Sequence, residues 1–81
     1  MGTTLATLSQ ARERERAGRL DAAIEDYVAV AAGAGSDLTE IEARCEALRR
    51  HAHIRRRRQE YGAALALCEE SFHTATAAHL P

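Results

Sequence analysis

The side chains that could do chemistry in this chain are mainly histidines, cysteines and carboxylates. Glu69 and His73 lie four residues apart, a separation that brings two side chains together on one helix face. A carboxylate and an imidazole without a third positioned group do not define acid-base chemistry. His51 and His53 point in different directions on a helix, and no His or Cys pair has the i, i+4 spacing of a helical metal site. We therefore predict no catalytic residue, no metal and no cofactor, and we expect the chain not to be an enzyme.

The cysteines and one glycine-containing loop are also interpreted as structural. Cys45 and Cys68 fall on apolar stripes of predicted helices, where a free thiol behaves as a small hydrophobe. We expect both to be reduced core residues, and a disulfide between them is the alternative. The segment GAGS at 33–36 lacks the ending of a phosphate-binding loop, and Leu38 stands where a dinucleotide loop needs its third glycine. We interpret this segment as a linker.

Arginine gives the sequence its charge pattern. The 81 residues contain eleven Arg and no Lys, with a net charge of −1. Residues 20–42 carry a charge of −6 and residues 43–58 a charge of +6, a sorting that fits pairing between neighbouring helices. Arg55 to Arg58 are consecutive, so on a helix they spread around the axis. Near-neutral net charge and the absence of Trp disfavour nucleic-acid binding, which stays open as an alternative for this basic segment.

Helices must position all of these side chains. The only proline is Pro81, and strand-like alternation of β-branched residues is almost absent. The apolar spacing predicts four helices, over about residues 3–17, 20–33, 38–58 and 61–79. Gly18 ends the first, and Asp37 followed by Glu40 has the form of a capping box at the third. The segment RRRRQEYG contains no residue that forces a break, so one continuous helix in place of the last two is the alternative.

A repeated segment organises these helices. AGRLDAAIEDYVAVAA (17–32) and RQEYGAALALCEESFHTA (58–75) superpose at a period of 41 residues, with Ala23 on Ala64. The two segments resemble the second half of tetratricopeptide units. Their spacing is closest to the long variant found in kinesin-light-chain-like and bacterial regulatory arrays.

The resemblance implies an all-α domain over residues 1–81, built from two antiparallel helical hairpins at about 3–33 and 38–80. In such repeats the first helix of each hairpin lines a concave groove that holds a peptide or a partner helix. The matching positions here are Leu5, Leu8, Arg12, Glu15, Arg16, Arg49, His53, Arg56 and Arg57. Guanidinium groups bind carboxylates through paired hydrogen bonds, so we expect an acidic peptide segment or a C-terminal carboxylate as the ligand. The predicted function is a non-catalytic protein–protein interaction module with a basic concave groove, acting as an adaptor, a dimerisation unit or a regulatory scaffold.

The fourth helix is more apolar than a surface helix requires. Its main stripe contains Tyr61, Ala64, Leu65, Cys68, Phe72 and Ala75, and further apolar residues surround it, so we expect two buried faces. Repeat arrays generally need about three units, and this chain has two. We therefore predict a homodimer or a longer array, with Leu67, Phe72 and Ala78 in the self-association surface.

Two more expectations concern the setting of the protein. No apolar run approaches the ~20 residues of a membrane span, so we expect a soluble cytoplasmic protein without a membrane partner. Besides the nucleic-acid-associated module, a purely structural, self-assembling helical bundle remains an alternative, in which the basic third helix only pairs with acidic neighbours.

Overall fold

Four α-helices make up the fold in the computed structural model, which describes residues 3–79. They are α1 (Thr3–Arg16), α2 (Leu20–Gly33), α3 (Leu38–Arg57) and α4 (Tyr61–Ala77). The all-α class and the two-hairpin order are confirmed, and α3 and α4 are separate helices. The predicted ends of α1, α3 and α4 lie one or two residues beyond the ends in the structure. The outermost parts of the predicted domain, 1–2 and 80–81, lie outside the described residues.

Both hairpins turn through the same backbone conformation. The turn between α1 and α2 places Gly18 at φ 80°, and the turn between α3 and α4 places Gln59, 41 residues later, at φ 64°. In the second turn the Glu60 N–H donates to the Arg55 carbonyl at 2.9 Å, and the equivalent bond closes the first turn at 2.8 Å. This is the Schellman pattern that ends helices at a left-handed residue. The sequence did not settle whether α3 and α4 are separate. The break between them is made by Gln59, which adopts the left-handed conformation that favours glycine.

Replacing Gln59 with glycine should stabilise the protein. An L-residue in the left-handed region costs roughly 1–2 kcal/mol, and the larger entropy loss of glycine on folding cancels about half of the gain. We expect the free energy of unfolding to rise by about 0.5 kcal/mol in urea titrations. The matched control is Gly18→Ala, which has open space around the added Cβ and should cost about 1 kcal/mol through the backbone alone. If both substitutions raised the free energy of unfolding, or both lowered it, this explanation would be wrong.

The linker between the hairpins is fixed by the predicted cap. The Asp37 carboxylate accepts from the Glu40 N–H at 2.9 Å, which confirms half of the capping box. The Glu40 carboxylate accepts from the Gly35 N–H at 2.8 Å and from the Thr4 hydroxyl at 3.4 Å. Glu40 therefore ties the linker and the start of α1 to the start of α3.

The two hairpins stack with α1 beside α3, and these two helices run in the same direction. Polar contacts join them along their length, at Thr4–Glu40, Arg12–Glu46 and Glu15–Arg50. Helix α2 packs against both α1 and α3. Within the described residues, α4 packs against α3 alone. The end of the stack formed by α4 is therefore open.

The core lies among α1, α2 and α3. Its buried members are Leu8, Ala11, Ala23, Ile24, Tyr27, Val30, Ala43, Ala47 and Ile54. Helix α2 contributes Ala23, Ile24, Tyr27 and Val30 to this core, because it packs against both α1 and α3. The prediction that α4 buries two faces is wrong for the described residues. Only Ala64 and Ser71 of this helix are buried, since α3 covers a single narrow face of it.

Candidate partner-binding face

Helix α4 presents a row of large apolar side chains to the exterior. Tyr61 is 62 % exposed, Leu65 is 61 % exposed and Phe72 is 67 % exposed, and Cys68 between them is also exposed. We call these four residues the α4 stripe. They are separated by four, three and four positions, the spacing of an apolar seam that packs against another helix.

The repeat explains why the α4 stripe is uncovered. Two of the four α2 residues that lie 41 positions earlier are buried: Ile24, the counterpart of Leu65, is 8 % exposed, and Tyr27, the counterpart of Cys68, is fully buried. The other two, Leu20 and Ala31, are half-buried. Helix α2 is covered by α3 of the following hairpin, and within residues 3–79 no helix follows α4. The α4 stripe thus occupies the position of a stacking surface.

A row of basic side chains lies beside the α4 stripe. Arg49, His53 and Arg56 are exposed on one side of α3, and with Ala64 and Cys68 they line a depression of about 220 Å³. Within the described residues, Arg49 and Arg56 form no ion pair.

A larger depression of about 800 Å³ continues along the same two helices. Its lining includes Glu42 and Cys45 from α3, and Ser71, Phe72 and Ala75 from α4. We call the two depressions together the α3–α4 groove. One end of this groove carries the unpaired Arg49 and Arg56, the α3 side of the larger depression also carries the carboxylates of Glu42 and Glu46, and the α4 side is apolar.

Two of the predicted groove residues belong instead to an ion-pair network. Arg12 donates two hydrogen bonds to Glu46, at 2.7 and 2.6 Å, and Arg50 donates to the same carboxylate at 2.6 Å. The Tyr27 hydroxyl donates to Glu15 at 2.5 Å, and Arg50 lies 3.7 Å from Glu15. The network links α1, α2 and α3, so these groups hold the hairpins together.

The protonation states of Glu46 and Tyr27 are fixed near neutral pH. The hydrogen bond from Arg12, reinforced by Arg50, lowers the pKa of Glu46 to about 2. Burial, followed by the hydrogen bond to Glu15, raises the pKa of Tyr27. An ionised Glu46 and a neutral Tyr27 are stable partners and not groups that exchange protons near neutral pH.

The remaining predicted partner-binding residues are dispersed. Leu8 is 2 % exposed in the core, so its side chain is not part of an open surface. Leu5 is 45 % exposed on α1, and Arg16 pairs with Glu13 at 2.8 Å. Arg57 is exposed at the end of α3. Of the nine predicted positions, the structure brings Arg49, His53 and Arg56 together.

The predicted self-association residues lie on two sides of α4. Phe72 belongs to the α4 stripe, whereas Leu67 and Ala78 are half-buried. Tyr61 and Leu65 were predicted as buried residues and are the part of this surface that sequence reasoning missed. Their spacing of four and three residues, typical of an apolar seam between helices, was the signal that could have marked them as an interaction surface.

The cysteines and the buried histidine lie in different environments. Cys45 is buried and Cys68 is exposed; both are free thiols, and the expectation that Cys68 lies in the core is wrong. Arg55 donates to His51 at 3.0 Å, and burial followed by the Arg55 charge lowers the pKa of His51, which is therefore a neutral acceptor. Residues 3–79 contain no group of three His, Cys, Asp or Glu side chains placed to hold a metal. None of the described helices is long and apolar enough to cross a membrane.

Comparison with known proteins adds no relative to this description. No family profile, curated protein or solved structure matches the chain. The fold defines its class, two stacked helical hairpins with one open end.

Proposed function

We propose that this chain is a non-catalytic protein–protein interaction module that binds a partner helix in the α3–α4 groove. The observation that carries the proposal is the exposed α4 stripe beside the unpaired cations Arg49 and Arg56. Large apolar side chains exposed in a row mark an interaction surface, because monomeric proteins rarely leave such rows open. The tetratricopeptide resemblance supports the same class of function, an adaptor or scaffold acting in the cytoplasm.

The groove specifies the chemistry of its partner. An amphipathic helix would place its apolar seam on Phe72 in the groove and on Leu65, which lies beside the groove on the α4 stripe, as in other helix-in-groove complexes. Carboxylates on one flank of that helix would face Arg49 and Arg56, where each pair gains a charge-assisted hydrogen bond. The proposed ligand is therefore an acidic amphipathic helix, a narrower class than any acidic peptide.

Two synthetic helices test this proposal. Both carry a leucine seam, one with glutamates and one with lysines on its flanks, and binding is followed by fluorescence anisotropy at low protein concentration. We expect the glutamate helix to bind and the lysine helix not to bind. Arg49→Glu combined with Arg56→Glu should reverse this preference, because opposite charges attract and like charges across an interface repel.

A matched variant separates the groove from overall charge. Arg16→Glu with Arg19→Glu makes the same change in net charge at two residues that do not line the α3–α4 groove. It should leave binding of the glutamate helix within about twofold, because salt screens exposed charges that make no direct contact. Equal losses in both double variants, or no binding of either helix to the wild-type protein, would refute the proposal.

The nucleic-acid alternative is less favoured by the geometry of the arginine run. Arg55 pairs with Glu60 and Arg58 pairs with Asp21, each at 2.8 Å, so two of the four guanidinium groups already have carboxylate partners. A DNA duplex and a single-stranded RNA serve as probes in the same assay. Binding that falls steeply with salt, in proportion to several phosphate contacts, would favour this alternative.

A further inference from the structure

Helix α4 itself has the composition that the α3–α4 groove selects. Between Tyr61 and Ala77 it contains the apolar α4 stripe, the carboxylates of Glu69 and Glu70, and no Lys or Arg. Glu70 pairs with Arg44 at 3.0 Å, which leaves Glu69 for a partner. Resting on the proposed function, we propose that the partner helix is α4 of a second copy of this chain. Each α4 then lies against the α3–α4 groove of the other copy.

Symmetry determines the direction of the two helices. Reciprocal filling of both grooves requires the two α3 helices to lie on opposite sides of the α4 pair. A twofold axis parallel to α4 gives this arrangement, whereas an axis perpendicular to α4 places both α3 helices on the same side. In a twofold interface the same patch serves both copies. The two α4 helices therefore run parallel, and Leu65, Cys68 and Phe72 each meet their own counterparts.

The charges beside the α4 stripe fit this parallel arrangement. Ala64 and Ser71 mark the side of α4 that packs on α3, and the helical period of 100° per residue places Glu69 on the opposite side. In a parallel pair, that opposite side faces α3 of the second copy, where Arg49 and Arg56 line the groove. Within the described residues Glu69 also has no ion-pair partner. The twofold axis thus places the unpaired Glu69 of each copy near the unpaired Arg49 and Arg56 of the other copy.

The size of the contact sets the range of concentrations for the test. Helix α4 has 17 residues and is about 25 Å long, so the pair forms a small interface. Interfaces of this size give weak complexes, and self-association should appear between ~1 µM and ~1 mM. We expect sedimentation equilibrium to give a mass that rises over this range from 8.8 kDa towards twice that value.

Two variants locate the interface. Leu65→Glu with Phe72→Glu should remain monomeric over the whole range while keeping its helical circular dichroism, because both side chains are exposed in the single chain. The control is Val28→Glu with Leu38→Glu, which adds the same charges at exposed apolar residues outside the α4 stripe and should dimerise as the wild type does. Dimerisation of the α4 double variant would overturn the inference.

Cross-linking tests the parallel direction. With a copper–phenanthroline oxidant, which accepts the two electrons lost as two thiols join, Cys68 should form an interchain disulfide in the wild type and none in Cys68→Ser. A dimer that forms without this cross-link would overturn the parallel arrangement. A chain that stays monomeric at ~1 mM would overturn the whole inference. If that monomer still binds the glutamate helix, the proposed function stands, and if it binds no helix, both fail.

Discussion

Replacing Tyr27 with alanine is expected to remove a large part of the stability of this protein. Tyr27 is fully buried at the centre of the core, where it contacts the ion-pair network through its hydroxyl. Truncating a buried aromatic side chain costs about 3–5 kcal/mol, because burial is lost and a cavity remains. A domain of 81 residues has a total stability of roughly 4–12 kcal/mol, so the loss is a large fraction. Urea titration followed by circular dichroism measures the change.

Two further variants separate the sources of this loss. Cys68 is exposed and occupies the position of the second repeat that corresponds to Tyr27. Cys68→Ala should therefore lower the free energy of unfolding by less than about 0.5 kcal/mol. Tyr27→Phe keeps the ring and removes the donor to Glu15, for an expected cost of about 1–2 kcal/mol. Equal losses of unfolding free energy in Tyr27→Ala and Cys68→Ala would contradict the conclusion that Tyr27 is a central core residue.

The helices and their order could be predicted because their signals are local. Gly18 and the Asp37 cap act within a few residues of the chain, and apolar spacing marks each helix without knowledge of its neighbours. The 41-residue period also placed the second turn in the same position as the first. Gln59 carried no signal of its own, since a glutamine adopts the left-handed conformation only when the surrounding hydrogen bonds hold it there.

The site could be predicted only in part because its side chains are selected by long-range contacts. Arg12 and Arg49 look alike in the sequence, yet Arg12 meets Glu46, which is 34 residues away, while Arg49 has no carboxylate partner within residues 3–79. Periodicity likewise identified the apolar side of α4 without showing whether another helix covers it. Coverage depends on the number of stacked units, which no local pattern around Leu65 or Phe72 encodes.

Glu46→Gln is expected to produce the second-largest loss, and this loss should depend on pH. The neutral amide leaves Arg12 and Arg50 without their shared counter-charge. Hydrogen bonds to charged groups contribute about 1.5–3 kcal/mol, and the Glu46 side chain is 22 % exposed, so we expect a cost of about 2 kcal/mol at pH 7. The matched control is Glu13→Gln, whose pair with Arg16 is largely exposed and should contribute less than about 0.5 kcal/mol.

The pH dependence of the Glu46→Gln effect follows from the direction of the pKa shift. The pKa of Glu46 is lowered from 4.5 to about 2 on folding, so the unfolded chain binds the proton more readily. The stabilisation is therefore fully present above pH 4.5 and is lost as the pH falls through about 2. Comparing the unfolding free energies of wild type and variant at each pH cancels the titration of the other carboxylates. A difference that stays constant from pH 7 down to about 2 would show that Glu46 acts through its shape and not through its charge.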